Sequence, residues 1–277
     1  MRIIYILIFC SLLSVSLLWL GQLGKITKRS AAIGATISLA VSGMLLLLAV
    51  LPGNSFYGKV ITHVPSPQKK VIALTFDDGP YPPYTQKLLQ VLAAKHVHAT
   101  FFMVGENAAE HPEIVKMVQA QGHTIALHAG YHKDLLKLSN EEVKNNIAYG
   151  KQTLETITGT QVQYMRPPHG FKDWSVVHAI NDAGLTVVNW SIIPRDWTNP
   201  GAQIIADRVC EKAEPGAIVL LHDGDSPKKQ ASRDQTIEAV GIIIDRLRAE
   251  GYEFVTLSEL VYKDHFHMDA SGKQIPD

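Results

Sequence analysis

The sequence predicts an α/β protein, a distorted parallel (β/α) barrel, complete or incomplete, preceded by two N-terminal transmembrane helices. Two observations carry this expectation. Seven short apolar runs between Val71 and Leu257 alternate with single amphipathic helical patterns, which implies parallel β-α units with right-handed crossovers and no second domain. Ahead of them, residues Ile3 to Leu20 and Ala31 to Pro52 carry no charge, and each segment is long enough to span a bilayer.

Composition sets the outer bounds. With 277 residues, 46% of them hydrophobic, the chain can bury a full core, and a single α/β barrel would use most of it. A formal net charge of zero argues against a nucleic-acid binder held by phosphate contacts and leaves neutral polymers such as glycans open. Cys10 lies in an apolar segment and Cys210 in a helical pattern, so cysteine usage does not report the compartment.

Residues 1–52 read as a membrane anchor. The loop between its helices carries Lys25, Lys28 and Arg29 against Arg2 alone at the start, so the positive-inside rule makes the loop cytoplasmic and turns both chain ends outward. The remainder is then extracytoplasmic, at the cell membrane. A signal-peptide core, or cleavage after Leu51, is the competing reading. The length of the second segment and the lack of a clean small-x-small site favour an anchor. Gly34, Ser38 and Ser42 would let the two helices approach closely.

Residues 53–70 shift to Pro, Gly, Ser and Lys, with Pro65-Ser66-Pro67 resisting helix, and read as a short stalk. Residues 71–262 form the folded domain and residues 263–277 a peripheral polar tail containing His265-Phe266-His267. Strands are expected at 71–76, 99–104, 124–127, 162–165, 186–190, 217–221 and 253–257. Helices are expected at 84–95, 112–121, 140–156, 174–183, 202–212 and 236–249, the third opened by the capping-box pattern of Ser139 and Glu142.

Chemistry gathers at the ends of these strands. Thr75-Phe76-Asp77-Asp78-Gly79-Pro80 delivers two adjacent carboxylates from a buried strand onto a loop. Neighbouring side chains on an extended segment point in different directions, so one acid can hold a metal while the other handles a proton. Alone, the pair reads equally well as a turn cap.

His128-Ala129-Gly130-Tyr131-His132 follows the third strand. Two imidazoles four apart on one face of a helical turn can reach one ion, and with Asp78 they make an open three-ligand set of the zinc type; alone, they read as surface histidines. Arg166-Pro167-Pro168-His169-Gly170 holds a guanidinium and the following amides on a rigid backbone. Asp196-Trp197 and Leu220-Leu221-His222-Asp223 complete the set. Each cluster stands at or beyond the C-terminal end of a strand, where parallel barrels assemble their sites.

These ordered motifs, from about Val71 to Leu260, resemble the polysaccharide deacetylases, the fourth carbohydrate-esterase family, which includes chitin and peptidoglycan deacetylases. The resemblance implies a distorted barrel holding one divalent metal, zinc with cobalt or nickel as alternatives, through Asp78, His128 and His132. It implies Asp77 as general base beside Arg166, His222 as general acid paired with Asp196, and the backbone N–H of His169 as an oxyanion donor. Trp197 and Leu220 would form the pocket around the acetyl methyl.

The implied activity is metal-dependent removal of N-acetyl groups from a cell-surface polysaccharide, foremost peptidoglycan amino sugars, with release of acetate. The sequence departs from the family pattern at Ala129, where Ser or Thr is usual, at His169, a frequent aromatic, and at Ile193, a frequent carboxylate. Three competing readings follow: an inactive glycan-binding protein on the same fold, an O-acetyl esterase acting on the same kind of polymer, and a two-carboxylate glycosidase that would need no metal. His63, His96, His98, His111, His123 and His178 read as packing or surface residues.

Overall fold

The structure, a computed structural model, describes residues 2–66, 68–264, 266–268 and 274–276. Two long helices come first, α1 (Ile3–Gln22) and α2 (Lys28–Val50), packed antiparallel. Both are long and apolar enough to cross a membrane. Their outer faces leave Tyr5, Phe9 and Leu12 exposed, as suits a lipid solvent. The small residues serve the seam: Gly34 lies against Leu17, and Ser38 Oγ donates across it to Cys10 O at 3.0 Å. Thr27 caps α2 by accepting from Ser30 N at 3.0 Å.

Seven parallel strands follow: β1 (Val71–Asp77), β2 (Thr100–Met103), β3 (Thr124–Leu127), β4 (Tyr164–Met165), β5 (Thr186–Val187), β6 (Ala217–His222) and β7 (Glu253–Phe254). Their order is β5-β4-β3-β2-β1-β6, with β7 also pairing β1. The sheet curls without closing. After β5 the chain bridges the gap, Ile61 pairing beside Val188 on one side and Ile192 beside Val219 on the other. The result is an incomplete (β/α) barrel.

Its helices are α3 (Tyr84–Ala94), α4 (Gly105–Glu110), α5 (Pro112–Ala120), α6 (Asn140–Thr158), α7 (Trp174–Asp182), α8 (Ala202–Cys210), α9 (Asp234–Ala249) and α10 (Leu257–Asp264). α6 opens with the reciprocal Ser139–Glu142 capping box and stops at Gly159 in the left-handed region.

Strand alternation sorts side chains into two cores. Ile72, Leu74 and Phe76 pack outward with Leu88 and Leu92 of α3 and Ile243 and Leu247 of α9. Val71 and Ala73 point inward with Phe102, Ala126 and Ile218, where Leu257 and Leu260 of α10 join them. The same inward column on β1 continues upward as Thr75 and Asp77. The site is therefore the polar top of the barrel's inner core.

Several expectations change. The strands expected at 162–165, 186–190 and 253–257 shrink to two paired residues each, because the chain leaves the sheet for site loops or, after Phe254, for α10. Helices α4 and α10 were not expected. The stretch at 53–70 is not a free stalk: Tyr57 is buried, Ile61 N donates to Val187 O at 3.0 Å, and Val64 N donates to Gly216 O at 3.0 Å. Pro67 lies outside the described residues. In the tail Phe266–Met268 pairs antiparallel with Gln274–Pro276, while His265 is outside the described residues.

Candidate active site

β1 and β6 place the two groups suited to moving protons opposite each other, since Asp77 and His222 are register partners at the ends of adjacent parallel strands. Asp77 is 2% exposed, and its Oδ1 accepts from Arg166 Nη1 at 2.6 Å. Arg166 is itself wholly buried, its guanidinium 4.0 Å from the centroid of Phe102. It also donates to Thr75 Oγ1 at 2.9 Å and to the carbonyls of Asn189 at 2.9 Å and Val188 at 3.3 Å. A buried arginine satisfied this fully is a fixed point charge. Burial raises the Asp77 carboxyl to about 6, and Arg166 limits the rise.

His222 is held from the other side. Asp196 Oδ1 lies 2.8 Å from His222 Nδ1, while its Oδ2 accepts from His222 N at 2.9 Å and Thr236 Oγ1 at 3.0 Å. A short 3-10 turn at Asp196–Thr198, flanked by left-handed Arg195 and Asn199, brings that buried carboxylate under β6. Burial alone would lower the imidazole, but the Asp196 charge and hydrogen bond outweigh it, with smaller help from Asp78 and Asp77, and push it up to about 9. With Nδ1 turned to Asp196, Nε2 is the atom left for the cleft.

Between these pairs lie Asp78, His128 and His132. Their nearest donor atoms all fall within 4.8 Å of one another, and Asp78 Oδ1 is 3.4 Å from His128 Nε2 and 3.2 Å from His132 Nε2. Asp78 takes φ 77°, a left-handed turn that swings it away from Asp77. Among the described residues, its buried Oδ1 has no hydrogen-bond partner. His128 Nδ1 sits 2.8 Å from Arg166 O, which orients Nε2 toward the carboxylate. Burial drives both imidazoles down, so their lone pairs are free. An orphaned carboxylate oxygen facing two unprotonated ring nitrogens fits a divalent cation.

The two histidines do not share a helical turn. They sit on a loop, with Ala129 at φ 68°, and the backbone reversal brings their rings to 5.0 Å. With alanine in place of a hydroxyl, α6 supplies support: Asn146 Oδ1 accepts from Gly130 N at 2.7 Å and Tyr131 N at 3.2 Å, and its Nδ2 donates to Tyr131 O at 3.1 Å. Close approach of α6 depends on Gly130, where a Cβ would lie 2.3 Å from Asn146 O.

The other expected residues line the same cleft. His169, at φ 62°, puts its ring 5.2 Å from that of His132, and among the described residues its amide N–H donates no hydrogen bond. Trp197, 41% exposed, lies 5.2 Å from the His222 ring. Leu220, 3% exposed, precedes His222 by two residues on the same face of β6. Ile193 is half-buried.

Sequence reading missed Asn146 and Thr236, and it gave Thr75 and Asp223 no role of their own although both stand in its motifs. Asn146 left a signal, being a polar residue in the apolar row Val143, Ile147, Gly150, Leu154 of α6. Asp223 is pushed up to about 7 by burial and accepts from Thr85 Oγ1 at 2.5 Å under the Asp78 turn.

Comparison with known proteins gives this geometry a family. The family model described as polysaccharide deacetylase matches residues 65–188. A peptidoglycan-N-acetylglucosamine deacetylase of Bacillus cereus is 40% identical over 210 residues, covering 75% of this chain and 95% of that protein. A chitooligosaccharide deacetylase of Rhizobium leguminosarum bv. trifolii is 41% identical over 198 residues, covering 68% of this chain and 90% of that one. A solved peptidoglycan N-acetylglucosamine deacetylase, in complex with an N-hydroxybenzamide ligand, superposes with a TM-score of 0.69 at 32% identity, over 73% of this chain and 92% of the other. Relatives of 40 to 41% identity, matched over 68 to 75% of this chain and 90 to 95% of their own length, make the chain a member of the polysaccharide deacetylase family.

Proposed function

We propose that this chain is a membrane-anchored, metal-dependent N-deacetylase of a cell-surface glycan, with peptidoglycan amino sugars as its main substrate. The observation that carries the reading is the placement of Asp77 and His222 as register partners beside the Asp78, His128 and His132 donor set, each with its own buried counter-charge. Glycan binding alone needs no such matched pair. The names of the relatives, covering peptidoglycan and chitin oligomers, favour an acetamido sugar as substrate.

Asp78, His128 and His132 would hold the ion, zinc or else cobalt or nickel. When bound, it would polarise the acetyl carbonyl and acidify the attacking water. Asp77 is ionised above about pH 6 and accepts the proton of that water at Oδ2, since Arg166 occupies Oδ1. The His169 amide is free to donate to the developing oxyanion. His222, an imidazolium up to about pH 9, gives its Nε2 proton to the departing sugar amine, and Asp196 steadies the charged ring meanwhile. Trp197 and Leu220 exclude water around the acetyl methyl. An amide leaving group needs that acid, which favours N- over O-deacetylation.

Product analysis tests the reading. The full chain should release acetate and free amines from acetylated chitin oligomers without new reducing ends, stop with a chelator and recover with zinc. New reducing ends that survive chelation would replace it with a glycosidase.

A further inference from the structure

The two membrane-type helices end on the active-site face of the barrel. Lys172 and Asp173, both wholly buried, follow the His169 turn directly. Lys172 Nζ donates to Leu51 O at 2.7 Å and Pro52 O at 3.2 Å, and its backbone N donates to Ala49 O at 3.0 Å, so the lysine closes the C-terminal end of α2. Asp173 takes the start of α1: its Oδ1 accepts from Arg2 Nη1 at 3.2 Å and its Oδ2 from Ile3 N at 3.0 Å. Arg2 reaches further to Leu135 O, in the turn that follows His132. Two adjacent residues thus grip both outer ends of the hairpin.

The grip connects to the catalytic centre through few bonds. Pro52 O accepts from Asn189 Nδ2 at 2.9 Å, Asn189 O accepts from Arg166 Nη2 at 2.9 Å, and Arg166 Nη1 donates to Asp77. Lys172 is three residues from His169, at most about 11 Å of chain, and the His169 ring lies 5.2 Å from that of His132. The donor set therefore stands on the order of 20 Å or less from the end of the apolar span. Around the junction Phe56, Tyr57 and Trp174 cluster with centroids 4.8 to 5.3 Å apart, and Tyr57 OH donates to Leu45 O at 2.6 Å. Aromatic side chains at such a level suit a lipid–water interface.

We infer that hairpin and barrel form one body, clamped by Lys172 and Asp173, which holds the cleft at the lipid surface, so that the substrate is acetylated glycan lying at or still attached to the membrane. The inference rests on the deacetylase reading for its substrate and on the clamp alone for its geometry. A domain on a free stalk would sample heights set by linker length. Here the head has one height and one orientation, and a sugar within a few residues of its lipid attachment falls within reach.

The test uses the full chain in vesicles. In a Cys10→Ala, Cys210→Ala background, a fluorophore is attached through Lys137→Cys, exposed next to the Arg2 contact, or through Gln121→Cys, exposed at the opposite end of the strands. Lipids with nitroxide headgroups should quench the first label several-fold more than the second. Equal quenching would overturn the clamp, whatever the enzyme does.

A second arm compares acetate release from a short acetylated chitin oligomer linked directly to lipid with release from the same oligomer free in solution. Lys172→Ala with Asp173→Asn should retain the rate on the free oligomer, which also reports folding, and lose several-fold on the lipid-linked one. An unchanged ratio would overturn the substrate inference. No acetate from either oligomer with the wild type would refute the deacetylase reading and the substrate inference with it, leaving the clamp to be judged by the quenching result.

Discussion

Replacing Asp196 with Asn isolates the feature that keeps His222 protonated, as its proposed role of acid requires. In the folded chain His222 is pushed up to about 9 although burial opposes its charge, and Asp196 supplies most of the opposing effect. Asp196→Asn removes the charge and one of the acceptors that meet His222 Nδ1 and N. The imidazole should fall back toward its ordinary value of 6.5, a loss on the order of 3 kcal/mol in preference for imidazolium. At pH 7.5 the protonated fraction would drop from nearly all to roughly one tenth, so kcat/KM should fall about tenfold from protonation alone, and further through lost orientation. The assay is a pH profile of acetate release beside a titration of His222 by NMR. Wild type should lose activity above about pH 9, and the variant should lose it near neutrality. A descending limb that stays where it was would refute the assignment of His222 as the acid held by Asp196.

Other outcomes follow from neighbouring contacts. In the metal-free protein Asp77 should titrate near pH 6 by NMR, and the ascending limb of acetate release by the zinc-loaded enzyme should lie lower, because a positive charge beside Asp78 favours the Asp77 carboxylate. Arg166→Met removes the cation that restrains Asp77, so its carboxyl rises above about 6; denaturant titration should show a loss of about 3 to 5 kcal/mol from the broken buried pair. Asn146→Ala takes three hydrogen bonds from the His128–His132 loop and should weaken zinc binding by about 10- to 100-fold in calorimetry while the fold persists.

Much of this was legible in the sequence, and the reasons differ by element. β1 and β6 are apolar runs buried along most of their length, so their hydrophobic signal matches their extent. β5 was overestimated because the ladder narrows after Val187: Val188 makes only an isolated bridge with Ile61, while Asn189 O accepts from Arg166 Nη2 and the Trp190 ring centroid lies 5.6 Å from the Arg166 guanidinium. α10 hid behind the β-branched pair Val255-Thr256, although Thr256 and Glu259 cap it reciprocally, with Thr256 N to Glu259 Oε2 at 2.8 Å and Glu259 N to Thr256 Oγ1 at 3.2 Å.

The polar strand ends pointed to one cleft because parallel strands gather their C-terminal ends, a rule of topology that spacing alone can use. His128 and His132 were paired for a helical reason that the structure replaces with a left-handed turn at Ala129. Supports such as Asn146, Thr236 and the Lys172–Asp173 grip act across long sequence separations, and no local pattern records which helix arrives beside them.

The most direct measurement of the central claim is acetate release from peptidoglycan strands by the zinc-loaded full chain beside Asp77→Asn, a change that spares every proposed metal ligand. The account predicts release by the wild type and a loss of about 100-fold or more in the variant with zinc still bound. Release by the variant at the wild-type rate would contradict it, since Asp77 could not then be the base.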